Sequence, residues 1–475
     1  TSTRQIGVFA PNNLPLPDFD VTNSTFEYMW TSIYIRSAID DLYIYNNSFG
    51  PVESADFTAC VAGVYLGDGT DDNFDIENVL IDNNTFTSYG RGVYVWNYAN
   101  NASIENFIIS NNTFTNSVYS AAIRFIAGLG EDEGVSLNGI TVSDNTLTQD
   151  SDVGGNIGLI DFRTYSELAS CDIDVTNNNI TFSGGSYTDA IHGIMFFPWE
   201  GPFTNTLVDN NSLSGGNVGG SGTPEATGIA VLHKAGDFWP TGSLQIDIAN
   251  NTINDFDNGF CVYDLVNSAF GGLPTGSIVN LEENSISGNN LYGVISGDGE
   301  LVDAKANWWG DASGPFDDKE STDPPGYNNP SGTGDKVSAY VDYDPWLGNE
   351  EGTSMNSNKL VINKTQMTTY EDAQAAVNNA NEGDEIQIGT DIYTVAINTD
   401  GKGGLVLAPG SSPGCPEHPA ITLTSADKMQ VEIFGTDPCT EHDQWQVTNT
   451  ATINNADLEV ILYDASNDTW YNPPL

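Results

Sequence analysis

The chain has 475 residues, with 65 acidic against 13 basic side chains and a formal net charge of −52. That imbalance argues against nucleic acid and anionic membrane surfaces as partners, because both would be repelled. It suits a saline extracellular setting, divalent-cation binding, or the solubility of a long β protein.

No apolar run approaches the ~18 residues needed to span a bilayer. No signal peptide is legible and the sequence begins at Thr1, so a mature or trimmed piece of a longer protein is expected. Residues 1–19, with Pro11, Pro15 and Pro17, read as an arm or as the remnant of an earlier coil. A six-residue phrase then recurs, as in Ile81-Asp82-Asn83-Asn84-Thr85-Phe86 and Ile109-Ser110-Asn111-Asn112-Thr113-Phe114. Its third positions fall at 23, 46, 83, 111, 144, 177, 210, 250 and 283. Repetition at such a period predicts stacked supersecondary units and overrides any domain count taken from length.

The phrase has a physical logic. An apolar residue ends one strand, and Asn turns the corner because it tolerates left-handed backbone angles and bonds locally. Thr or Ser and an apolar residue then open the next strand. Stacking such corners places Asn above Asn, where each amide can bond its neighbours along the stack. One strand signal precedes each copy, as at Ile104 to Ile109. Another follows it, at Gly63 to Leu66, Gly92 to Val95, Ala122 to Phe125, Gly158 to Asp161, Gly193 to Phe196, Gly228 to Val231 and Gly259 to Val262. That gives three short strands per turn. Over roughly residues 20–305 the chain resembles the right-handed parallel β-helix (pectin-lyase-like) repeat proteins, which implies an all-β, three-sided solenoid.

Long Gly- and Asp-rich insertions interrupt the coils at 67–73, 128–134, 215–227 and 270–276. The solenoid is expected to close with Asn307-Trp308-Trp309-Gly310 and Val341-Asp342-Tyr343-Asp344-Pro345-Trp346-Leu347. These resemble the terminal coil of bacterial surface β-helix proteins, so 20–348 forms one predicted domain. The Trp residues either cover the end of the stack or offer rings for sugar stacking. Residues 349–364 read as a linker and 365–475 as a small β-rich module with one short helix. In that helix Ala373, Ala376, Val377 and Ala380 share a face. The segment from about 405 is similar to strand modules of autotransporter and haemagglutinin-like passengers.

Cys415 and Cys439 flank turns within this module and are the expected disulfide, whereas Cys60, Cys171 and Cys261 sit in separate coils and read as buried thiols. The strand after each phrase projects its middle residue outward, giving a column with Tyr34, Tyr65, Tyr94, Arg124 and Ile160. A parallel column holds Arg36, Trp96, Phe162, Phe197 and Tyr263. So apolar a face must be covered, used in assembly, or serve as a ligand platform. Arg124, Arg163 and Lys234, with His192, cluster on or beside the same strand. β-Helix polysaccharide lyases work on acidic sugars from such a face. The resemblance therefore implies Arg124 or Arg163 as base, with His192 or Lys234 assisting.

Calcium is the cofactor the acidic loops suggest, and no organic cofactor is expected. Asp68, Asp71, Asp72 and Asp75 concentrate hard oxygens in one loop, without the Gly and Glu of the helix–loop–helix pattern. Asn-X-Ser/Thr acceptors coincide with the corner phrase, so packing accounts for them. The functional expectation is an extracellular or cell-surface structural or adhesive β-helix that self-associates or holds surface polysaccharide. An acidic-polysaccharide lyase and a calcium-stabilised sugar-binding protein are the alternatives.

Overall fold

The structure, a computed structural model, describes residues 6–11, 16–51, 62–67, 75–97, 102–117, 121–128, 135–150, 157–165, 168–183, 190–199, 201–216, 226–233, 243–265, 269–320, 323–357, 361–370, 373–389, 397–399, 405–409, 417–423, 428–433, 446–453, 457–464 and 469–471. Two compact units emerge: Thr1–Asp303 with Lys336–Val341, and Ala304–Asp335 with Asp342–Leu475.

In the first unit the chain visits three parallel sheets in rotation. The first sheet runs from Ile6–Ala10 through Thr31–Ile35, Ala62–Gly67, Arg91–Asn97, Ile123–Ala127, Ile157–Thr164, Ile191–Pro198 and Thr227–His233 to Asn258–Asp264. The second includes Leu16–Thr22, Ile39–Tyr45, Ile76–Asp82, Ser103–Ser110, Val135–Ser143, Leu168–Thr176, Phe203–Asp209, Leu244–Ala249 and Ile278–Glu282. The third runs from Thr25–Phe26 through Ser48–Phe49, Thr85–Tyr89, Thr113–Ser117, Thr146–Gln149, Asn179–Phe182, Ser212–Ser214 and Thr252–Asn254 to Ser285–Ser287. This all-β rotation is compatible with a parallel β-helix-like solenoid.

The corner phrase divides its labour between adjacent positions. Third positions take the left-handed conformation, from Asn23 at φ 50° to Asp144 at 57°, and even Glu283 at 55°. Their side chains are exposed. Fourth positions are the buried ladder. Asn145 Nδ2 donates to Ile109 O at 2.9 Å and to Asn178 Oδ1 at 3.0 Å. Its own Oδ1 accepts from Asn112 N at 2.9 Å and Asn112 Nδ2 at 3.0 Å. Asn47, Asn84, Asn112, Asn178, Asn211 and Asn251 repeat the side-chain link to the next asparagine. A buried amide so bonded uses its donors and its acceptor, which removes the penalty of an orphaned polar group.

Apolar side chains stack beside that ladder. Phe26, Phe49, Phe86 and Phe114 lie ring on ring at 5.2, 4.6 and 4.6 Å. Leu147, Ile180, Leu213, Ile253 and Ile286 extend their column in register. Each such side chain contributes about 2 kcal/mol of transfer free energy before entropy is counted. Close approach at the neighbouring corner needs glycine: a Cβ on Gly92 would sit 2.6 Å from the Phe114 ring and 2.5 Å from Ala122 O.

Two repeating features escaped the sequence reading. A second left-handed column bends the second sheet at Asp18, Asp41, Asn78, Asn106 and Asn205. It is laced by Asn78 Nδ2 to Asp40 Oδ1 at 3.0 Å and Asn106 Nδ2 to Asn78 Oδ1 at 3.1 Å. In the second unit, Ala304-Lys305-Ala306-Asn307-Trp308-Trp309 repeats the local corner geometry. Ala306 has φ 53°, and buried Asn307 donates to Lys305 O at 3.2 Å, as Asn284 does to Glu282 O at 3.0 Å.

The second unit also buries Trp309 and Trp346 completely, with Trp346 Nε1 donating to Ala312 O at 3.0 Å. Trp309 is therefore closed to sugar stacking. The helix Ala373–Asn379 packs Ala373, Ala376 and Val377, with Ala380, into a core with Val361, Ile386, Ile388, Ile397, Leu405 and Leu407. Glu385–Ile388, Val406–Pro409, Lys428–Ile433 and Asp457–Asp464 then pair in parallel, so a second parallel stack continues through the segment read as alternating strands. Val361–Asn363, inside the stretch read as a linker, is a strand of the same sheet. Cys415 and Cys439 lie outside the described residues. Among those residues no helix is long and apolar enough to cross a membrane.

Candidate functional site

The first sheet's outward face begins as an aromatic run. Phe9 meets Tyr34 at 5.6 Å, Tyr34 stacks on Tyr65 at 4.7 Å, and Tyr65 meets Tyr94 at 5.0 Å. Cations attend it: Arg91 lies 4.5 Å from the centre of the Tyr94 ring and Arg36 lies 6.0 Å from that of Tyr34. Exposure falls along the run, from 51 % at Phe9 to 2 % at Tyr65 and 3 % at Tyr94, with Tyr34 and Trp96 half-buried.

Further along, the register corrects the predicted column. Arg124 pairs with Asp161 rather than Ile160, and Ile126 pairs with Arg163 rather than Phe162. Phe162 instead points inward and is fully buried, stacked between Phe125 at 5.3 Å and Phe196 at 5.7 Å. The error came from Gly158. The small-residue pattern sets it opposite Gly193, but it pairs with His192, and Leu159 takes the place opposite Gly193. One misassigned small residue turned every side chain of that strand to the wrong face.

In the corrected register, Arg124, Asp161 and Arg163 meet on this face. Asp161 is fully buried and accepts from Arg124 Nε at 2.6 Å and from Arg163 Nε at 3.0 Å and Nη2 at 2.9 Å. Burial pulls the Arg124 pKa down against the attraction of Asp161. For Arg163, burial also opposes charge, but the Asp161 carboxylate and its hydrogen bonds prevail and push the pKa up. Both guanidiniums are thus held as cations on one carboxylate. His192 is fully buried, and neither ring nitrogen has a hydrogen-bond partner among the described residues. Burial holds its pKa down to about 3, opposed by Asp161 and reinforced by Arg163, so the ring is neutral.

Beyond this centre the face closes over itself. Met195, Phe197, Ala230, Leu232, Cys261, Tyr263 and Ile295 form one cluster beneath Tyr165, Trp199, Leu265, Phe270 and Tyr292. Ala269–Phe270 lies antiparallel to Asn258–Asp264, and its Phe270 ring stands edge-on to Tyr263 at 5.7 Å. Tyr65, Tyr94, Phe197 and Tyr263, expected on a binding face, are packed away at 2–4 % exposure. The corresponding stretch of that face is closed rather than open.

Of the remaining expected site residues, Lys234, Asp68, Asp71 and Asp72 lie outside the described residues. Asp75 is used between coils, where its Oδ1 accepts from Ser103 N at 3.0 Å and Ser103 Oγ at 2.9 Å. Among the described residues no group of three or more His, Cys, Asp or Glu side chains could hold a metal ion. Cys171 and Cys261 carry buried thiols, and burial raises the Cys171 pKa to about 11. The chain matches no known family model, and neither a curated protein nor a solved structure matches it.

Proposed function

We propose that this chain is an extracellular or cell-surface structural and adhesive element, built as a right-handed, three-sided parallel β-helix. The observation that carries the reading is the state of the first-sheet arginines. A lyase base must deprotonate and reach substrate. Arg124 and Arg163 are instead locked as cations on buried Asp161, beside a histidine without solvent access. The contact surface under this reading is the half-open aromatic end, Phe9, Tyr34 and Trp96, by which copies associate or surface polysaccharide is held. The strong acidity suits a saline exterior, with calcium as a candidate bridge between acidic surfaces.

Electron microscopy of the purified chain, with and without chelator, tests this. Ordered fibres or sheets are expected, and Tyr34→Asp with Trp96→Asp should disperse them while leaving the melting temperature nearly unchanged. Isolated particles under every condition, with no retention on surface polysaccharide, would reject the reading.

A further inference from the structure

The third sheet presents a surface that the structural reading does not use. Every strand from Thr85–Tyr89 to Ser285–Ser287 alternates a hydroxyl or amide outward, an apolar residue inward, and a hydroxyl or amide outward again. Thr85, Thr113 and Thr146 pair in one column, and Thr87, Thr115 and Thr148 in the next. All six are exposed or half-exposed, while Phe86, Phe114 and Leu147 between them are buried. Both columns continue in unbroken register to Ser285 and Ser287, whereas the second sheet has register shifts. The inward rings hold the face regular: Phe86 and Phe114 are within 7° of parallel.

Charge sharpens the contrast. The chain has 65 acidic residues, yet none of the nine strands of this sheet carries a charged one. Acidic residues sit instead on the second sheet, where Asp40, Glu77 and Glu105 stand in register. The third face is therefore a regular grid of hydroxyls and amides on strands without charge. Its spacing is about 4.8 Å between strands and about 6.7 Å along each strand.

We propose that this face binds ice, recognising an ordered water lattice through its two hydroxyl columns. A partner must repeat in two directions to use every row. Each hydroxyl offers one donor and two acceptor positions, the complement of water itself, and no residue of these strands is an ion that would impose its own hydration shell. A protein partner would be met by aromatic and Arg anchors. A crystalline polysaccharide would be met by exposed rings. On this sheet the rings of Phe49, Phe86 and Phe114 face inward. The inference stands whether or not copies of the chain assemble.

The test grows single ice crystals in undercooled solutions of the full chain and reads their shape and the gap between melting and freezing. The chain should facet the crystals and open a gap. Thr115→Lys with Thr148→Lys should abolish both, with the melting temperature of the protein kept. Thr141→Lys, on the second sheet, should leave both intact, and Thr87→Lys serves if the double variant melts early. Round crystals with no gap, equal loss in the Thr141→Lys control, or retention on crystalline chitin or cellulose without any effect on ice would each overturn the proposal.

Discussion

The asparagine corner and the charged centre of the first sheet both bury polar side chains, and they satisfy them by different means. At the corner, each amide bonds the coil before and the coil after, so Asn145 alone takes part in two side-chain links and two links to backbone. On the first sheet, one carboxylate serves two guanidiniums, and the adjacent His192 ring has no hydrogen bond among the described residues. The first solution can be copied from coil to coil, because neutral amides accumulate no charge. The second does not repeat from coil to coil, because every added ion would need its own buried counter-ion.

The largest loss is expected at Asp161. Asp161→Ala leaves two like charges buried together and should cost roughly 3–5 kcal/mol, read by chemical denaturation. An unchanged midpoint would mean that the arginines reach solvent. Asn145→Ala strands the Asn112 amide hydrogen and the Ile109 carbonyl and should cost about 3 kcal/mol. A loss well under 1 kcal/mol would show that the ladder is incidental to stability.

His192 sharpens the contrast through pH. Its folded pKa of about 3 lies below the ordinary 6.5, so the folded state holds fewer protons between those values. Its contribution is intact above pH 6.5 and is lost as the pH falls toward 3. Denaturation midpoints should therefore drop over that window less steeply in His192→Leu than in the parent chain. Identical slopes would place the ring in contact with solvent. Near pH 7 the parent shows none of this effect, which makes it the smallest of the three under ordinary conditions.

How much of this was legible follows from what repeats. The corner could be read because a left-handed turn, Asn in seven of nine copies, recurs with a following small polar residue and an apolar one. Its tenth form, Ala304–Trp309, was hidden because Ala306 keeps the backbone angle without the usual residue and Trp309 replaces a smaller apolar one. The helix at 373–379 was legible from the spacing of its alanines. The charged centre was only half legible. Arg124, Arg163 and His192 stood out in an acidic chain, but Asp161, their hub, was assigned inward by the Gly158 misalignment. Counting apolar alternation back from Phe162, Ile160 and the Phe125 column would have found it. That so apolar a face must be covered, assembled or used as a platform was legible, but not that the covering rings Trp199, Phe270 and Tyr292 come from the ends and edge of the same sheet.

The proposed function requires that the first-sheet arginines hold the structure and do not catalyse. The most direct measurement incubates the purified chain with a panel of acidic polysaccharides and follows the ultraviolet absorbance of unsaturated products. No product above the protein-free blank is expected on any substrate. Product formation that disappears in Arg124→Ala or Arg163→Ala, with the variant still folded, would contradict it.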